Sequence, residues 1–159
     1  MPLTAADIMT KDVKTVRPDN TIAQIAKLLS DSGISAAPVQ DRDGRLLGMV
    51  SEGDLLRPVG QEIAEKRAWW LNILADGTDL SPTFLESIRV GNRLARDLMV
   101  TPVVTASPET TVPVLADMLV RHHVKRLPIV RDGKLVGIVS RADLVRALAL
   151  HPDAVTDAT

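Results

Sequence analysis

Cysteine is absent from the 159-residue chain. That removes disulfides, thiolate nucleophiles, zinc ribbons and iron–sulfur clusters from consideration. Aromatic residues are nearly absent as well: Trp69, Trp70 and Phe84 complete the set. The core must therefore be aliphatic, and the surface lacks the platforms on which single-stranded nucleic acid stacks. Neither sign of charge dominates, with 19 Lys and Arg against 20 Asp and Glu, whereas a nucleic-acid binder carries a basic face. No apolar run approaches the roughly 20 residues of a membrane helix. Residues 1–10 lack the basic and apolar segments of a secretory signal. No Gly-x-Ser-x-Gly elbow or Gly-x-x-x-x-Gly-Lys phosphate loop is present, and no spacing joins Asp and His into an acid–base set. The expectation is a cytoplasmic, non-enzymatic protein with neither nucleic acid nor membrane as partner. Its length suits one domain or two small ones packed closely.

What the chain does contain is a copy of itself. Residues 7–40 align with 97–130 at an offset of 90, and residues 43–57 with 132–146 at an offset of 89. Of these 49 columns 18 are identical, and they fall in ordered blocks that chance does not produce. Asp7-x-Met9 matches Asp97-x-Met99. Val13-x-Thr15-x-x-Pro18-x-x-Thr21 matches Val103-x-Thr105-x-x-Pro108-x-x-Thr111, and Pro38 matches Pro128. Asp43-Gly44-x-Leu46-x-Gly48-x-Val50-Ser51-x-x-Asp54-Leu55 matches Asp132-Gly133-x-Leu135-x-Gly137-x-Val139-Ser140-x-x-Asp143-Leu144. Two copies are too few for a solenoid, which needs about three. They suit a pseudo-twofold pair burying a shared face.

Each copy reads as β-α-β-β-α. A β-branched run at 13–16 ends at Pro18, and Asp19 or Asn20 offers an N-cap. Ile22, Ile25, Ala26 and Leu29 then fall on one helix face, as do Val112, Leu115, Ala116 and Leu119. Gly33 supplies a helix stop, and Pro113 is tolerable only in a first turn. Strands follow at 37–40 and 127–130, then Asp-Gly hairpin turns, then strands at 46–50 and 135–139. A second helix opens at Ser51 and at Ser140. The predicted domains are 1–57 and 94–150, separated by a helical insert at 58–93 and followed by a polar tail at 151–159. In the insert, Ile63, Arg67, Trp70, Leu71 and Leu74 form an amphipathic stripe. Trp69 and Trp70 either pack on their own domain or form a dimer contact, since Trp is enriched at interfaces.

The duplicated set, Val-x-Thr-x-x-Pro followed by Pro-Val or Pro-Ile-Val and then Gly-h-Val-Ser-x-x-Asp-Leu (h is apolar), resembles a tandem pair of CBS domains, the Bateman module. Residues 65–71 resemble the insert of stand-alone bacterial CBS-pair proteins. The resemblance implies an α+β fold with two β-α-β-β-α repeats about a pseudo-twofold axis. It also implies a regulatory module that binds an adenosine-containing ligand (AMP, ADP, ATP or S-adenosylmethionine) between the repeats, without a catalytic cofactor or metal. A homodimer and a regulated protein are the implied partners. The alternative is a ligand-free dimerisation scaffold.

By the same resemblance, the strand-end threonine and adenine-side stretch of one repeat face the Ser-x-x-Asp of the other. One candidate cleft combines Thr15, Ile34, Ser35 and Ala37 with Ser140, Arg141 and Asp143. The second combines Thr105, Val124, Lys125 and Leu127 with Ser51 and Asp54. A carboxylate can accept both ribose hydroxyls, as the acidic residue of dinucleotide folds does. A hydroxyl at a helix start can reach the sugar or a phosphate. The competing reading is a capping box, whose third residue is more often Glu or Gln. Arg141, read as a phosphate partner, and Glu52, read as opposing an anion in the Asp54 cleft, favour the Asp143 cleft. The cluster Arg121-His122-His123-x-Lys125-Arg126 reads either as cations complementing a helix dipole or as a phosphate-facing patch.

Overall fold

The structure, a computed structural model, describes residues 2–57 and 93–155. Of the insert expected at 58–93, residues 58–92, which hold both predicted helices and all three aromatic residues, lie outside the described residues. In repeat 1, α1 (Ala5–Ile8) precedes α2 (Ile22–Ser32), β1 (Ala36–Gln40) and β2 (Leu46–Ser51), after which residues 52–57 are helical. In repeat 2, α3 (Ala95–Leu98) precedes α4 (Val112–Arg121), β3 (Arg126–Arg131), β4 (Lys134–Ser140) and α5 (Arg141–Leu150), with a 3-10 turn at Pro152–Val155. No helix among the described residues is long and apolar enough to cross a membrane.

Local chemistry accounts for most boundaries. The N-cap of α2 is Thr21, not Asp19 or Asn20: its Oγ1 accepts the Gln24 N–H at 3.2 Å, and Gln24 Oε1 accepts the Thr21 N–H at 2.9 Å. Asn20 is occupied one turn earlier, accepting the Arg17 N–H in the bend after Val16. Gly33 ends α2 at φ 63, and the Ile34 N–H closes onto the Leu29 carbonyl. Ile22, Ile25 and Leu29 are buried as the periodicity expects, but Ala26 is exposed. β1 pairs antiparallel with β2, and β3 with β4. Asp132 and Gly133 both have positive φ, the two-residue turn whose twist matches the strands it joins. The expected leading strand at 13–16 shrinks to one bridged residue, Val16, held parallel to Val39. Ala106 bridges Ile129 in the same way.

The two repeats exchange their leading segments. Thr10 bridges Ile138 of β4, while Val100 bridges Met49 of β2. The Ala5 N–H donates to the Thr110 carbonyl, and the Ala95 N–H donates to the Asn20 carbonyl. The core of repeat 1 (Val16, Ile25, Val39, Val50 and neighbours) accordingly contains Ala95. The core of repeat 2 (Leu115, Leu127, Ile129, Val139 and neighbours) contains Ala5. Both are aliphatic, and each fully buried Leu or Ile stabilises by about 1.5–3 kcal/mol.

The exchange explains two repeated motifs. In Asp-x-Met, the carboxylates of Asp7 and Asp97 accept the N–H groups of Thr4 and Leu94 at the starts of α1 and α3. The methionines lie over glycines in the opposite repeat. A Cβ on Gly48 would sit 2.8 Å from Met99 Sδ and 2.9 Å from the Val100 carbonyl oxygen, and one on Gly137 would collide with Met9. Glycine is required there because another backbone crosses closely.

Candidate functional site

Both Ser-x-x-Asp motifs form complete capping boxes. Asp54 Oδ2 accepts the Ser51 N–H at 2.8 Å and Ser51 Oγ at 2.9 Å, and the Asp54 N–H donates back to Ser51 Oγ at 3.4 Å. At α5, Asp143 Oδ2 accepts the Ser140 N–H at 2.9 Å, and Ser140 Oγ accepts the Asp143 N–H at 3.2 Å. Both aspartates are buried, at 5% and 6% exposure. The second oxygen of each accepts a guanidinium three residues on: Arg57 to Asp54 at 2.8 Å and Arg146 to Asp143 at 3.2 Å. A buried carboxylate requires such partners. The caps do not seal the motifs from solvent, because each box opens onto a cleft.

One cleft has a volume of about 780 Å³ and brings Ile34 and Ser35 of repeat 1 to Ser140 and Asp143 of repeat 2. The other, about 500 Å³, brings Val124 and Lys125 of repeat 2 to Ser51 and Asp54 of repeat 1. Both fall in the range of small-molecule sites, about 300–1,000 Å³. The cross-repeat pairing thus emerges from the exchanged topology, with one end of each repeat contributing to each cleft.

Five of the residues assigned from sequence do not line these cavities. Ala37 and Leu127 have no exposed surface; they point into the cores because the alternation of β1 and β3 puts them on the inner face. Ala36 and Arg126, one residue earlier, line the clefts instead. Thr15 turns aside and accepts a hydrogen bond from Gln40 Nε2 at 3.0 Å. Thr105 holds the equivalent place in repeat 2 and is also outside the lining, whereas Val13 and Lys14, with Val103 and Val104, reach the cavities. Arg141 is exposed and outside the lining; its N–H donates to the Lys125 carbonyl, on the side of the other cleft.

The charge assignment is reversed. Glu52 lines the Asp143 cleft, not the Asp54 cleft, because its N–H is tied to the Ser35 carbonyl of its own repeat. That cleft therefore holds Asp12 and Glu52 against Lys14 and Arg126. The Asp54 cleft holds His123, Lys125 and Arg126, with Asp54 already paired to Arg57. The smaller cleft is the more cationic. His123 sits there at φ 53, a left-handed conformation that costs a non-glycine residue about 1–2 kcal/mol.

Arg126 belongs to both clefts. Its Nη2 donates to Ser35 Oγ across the repeat boundary at 2.8 Å. Burial lowers its pKa, and the charge of Glu52 pulls in the opposite direction. The sequence signal for Arg126 was present in the basic cluster at the end of α4, but nothing local indicated that its strand position sends it between the repeats. Arg121, in the same cluster, instead pairs along its own helix with Asp117 at 3.1 Å. Among the described residues no group of three or more His, Asp or Glu side chains is placed to hold a metal ion.

Comparison with known proteins bears on both architecture and clefts. A family model for the CBS domain matches residues 5–60 and again residues 95–150. An uncharacterised protein of Methanocaldococcus jannaschii is 33% identical over 154 residues, 89% of this chain and 89% of the relative. The crystal structure of the Arabidopsis thaliana protein CBSX2 in complex with AMP superposes with a TM-score of 0.72 at 26% identity, covering 93% of this chain and 97% of that one. The CBS domain of a CBS-domain-containing membrane protein from Sphaerobacter thermophilus superposes with a TM-score of 0.65 at 37% identity, covering 91% and 87%.

Proposed function

This chain belongs to the CBS-domain family, and from that premise we propose that it is a regulatory module that binds an adenine nucleotide between its two repeats. The observation that carries this reading is the cross-repeat construction of both clefts. Each joins the strand approach of one repeat to the helix start and buried carboxylate of the other. The likeness to CBSX2, solved with AMP, supports the same ligand class.

The roles follow from chemistry. Asp54 and Asp143 present carboxylates to the ribose hydroxyls, exchanging an arginine partner for the sugar. Ser51 and Ser140 stand at helix starts, where unpaired N–H groups favour anions. Ile34 and Val124 offer apolar surface to the base. His123, Lys125 and Arg126 direct a phosphate to the Asp54 cleft. The Asp143 cleft, with Asp12 and Glu52, suits adenosine or the cationic S-adenosylmethionine better than a polyphosphate.

A ligand that bridges the repeats favours the packing that holds them at the matching separation, by no more than its differential affinity for the two arrangements. A homodimer in the cytoplasm, reading that change out to a regulated protein, completes the proposal. No residue is assigned a catalytic role.

Thermal unfolding with AMP, ADP, ATP, S-adenosylmethionine and NAD tests the reading. A ligand at about 100 times its Kd stabilises by about 2.7 kcal/mol, visible as a rise in Tm. No shift with any of the five at millimolar concentration leaves the ligand-free scaffold. Asp54→Asn should weaken AMP binding by roughly 10–150-fold, the value of hydrogen bonds to a charged group. Calorimetry with undiminished affinity overturns the role given to Asp54.

A further inference from the structure

We propose that Arg126 couples the two clefts antagonistically, so that an anionic ligand in one weakens anion binding in the other. The proposal rests on the nucleotide reading above and assigns its internal regulation. Three observations carry it.

The first is that one arginine, Arg126, lines both cavities. The second is that it has no symmetry mate. The position in repeat 1 that corresponds to Arg126 is Ala36, and Ser35, which accepts its hydrogen bond, corresponds to Lys125. The pseudo-twofold that duplicates the caps, glycines and cores therefore does not duplicate this charge. The third is that Arg126 is already committed: it donates to Ser35 and shares the Asp143 cleft with Glu52.

A phosphate in the Asp54 cleft draws on the cation that offsets Glu52, leaving the Asp143 cleft more acidic. A phosphate in the Asp143 cleft neutralises a cation that the Asp54 cleft uses. Linkage makes the effect equal in both directions. An uncharged ligand has no anion with which to engage Arg126 and leaves the clefts independent.

The test is a titration of the full chain followed by NMR. The Gly33 amide reports the Asp143 cleft alone and the His123 amide reports the Asp54 cleft alone, because each residue lines only one cavity. The clefts differ in intrinsic affinity, so the coupling is read as the response of one cleft to loss of the other. Asp54→Asn weakens the Asp54 cleft, and the AMP midpoint at the Gly33 amide should then fall roughly tenfold, within the 5–150-fold common for coupled sites. With adenosine, the same substitution should leave the Gly33 midpoint unmoved. Arg126→Gln retains a donor for Ser35 but not the charge, and in its background Asp54→Asn should no longer shift the AMP midpoint at Gly33. Its Tm, compared with that of the parent chain, checks that the boundary hydrogen bond survives. A Gly33 midpoint for AMP that Asp54→Asn leaves unmoved, or moves equally in the Arg126→Gln background, overturns the coupling and leaves nucleotide binding standing. Absence of any AMP response at both amides overturns nucleotide binding and the coupling with it.

Discussion

The two repeats have the same backbone and different clefts. Positions identical between them hold the fold: the Asp-x-Met segments that cross over, the glycines beneath those methionines, and the Ser-x-x-Asp caps. Positions at the cleft walls diverge. Gly33, Ser35 and Ala36 in repeat 1 correspond to His123, Lys125 and Arg126 in repeat 2, and Glu52, which lines a cleft, corresponds to Arg141, which does not. A small or acidic set has become a basic one on an unchanged frame. The duplication therefore maintains architecture, while the charge and size of the cleft walls are set where the copies disagree.

Substitutions at paired positions test that division. The largest effect is expected at the crossovers. Gly48→Ala places a Cβ 2.9 Å from the Val100 carbonyl oxygen, where backbone must yield, and should cost about 1–3 kcal/mol in urea unfolding. Gly137→Ala meets mainly the flexible Met9 side chain, with the Thr10 carbonyl oxygen farther off at 3.1 Å, and should cost less. Equal and negligible costs would show that the crossing backbones are not in close contact.

The helix starts differ next. Thr21 caps α2 through its side chain, whereas Thr111 makes no such bond at α4 and Pro113 occupies the first turn instead. Thr21→Ala should lose about 1 kcal/mol, and Thr111→Ala markedly less. The helix ends should then respond with opposite signs. Gly33→Ala strains a φ of 63 by about 1–2 kcal/mol, while His123→Gly relieves a φ of 53 by a similar amount less the entropy glycine adds to the unfolded chain, a net gain of under about 1 kcal/mol. His123→Gly that destabilises would mean that the imidazole makes contacts outweighing its backbone strain.

The smallest effect belongs to a pair found in one repeat. Arg131 donates to Glu109, and both are exposed. Its counterpart in repeat 1 would be two acids, Asp41 and Asp19. Backbone and Arg131 hydrogen bonds hold the Glu109 carboxyl below its ordinary pKa. The pair therefore contributes above the usual carboxylate range and fades as pH falls through that depressed value. Arg131→Ala should reduce this slight pH dependence, leaving the larger part held by the backbone hydrogen bond, and added salt should mask the Arg131 contribution.

Local features were legible wherever a few neighbouring residues decide the outcome. The αL stop at Gly33, the Asp-Gly turns and the apolar faces of α2 and α4 follow from short-range sterics and periodicity. Thr21 was missed as the cap because Asn20, a good cap by type, was already engaged by the bend at Arg17. Ala37 and Leu127 were misplaced because resemblance located the stretch but not its parity, and one residue along a strand changes the face. The short helices α1 and α3 carried little signal, since four residues make too few turns to show a period.

The sequence by itself determined that the molecule is a duplicated, aliphatic α+β unit, because caps, turns and hydrophobic spacing act within a few residues. It also identified most of the cross-repeat pairs that meet, through Ile34 and Ser35 with Asp143, and Val124 and Lys125 with Asp54. Only the tertiary structure decided that the leading segments trade repeats, that Glu52 faces the Asp143 cleft, and that Arg126 serves both. Those outcomes depend on side chains brought together across some 90 residues of chain, where the crossing of backbones, not local preference, selects the neighbour.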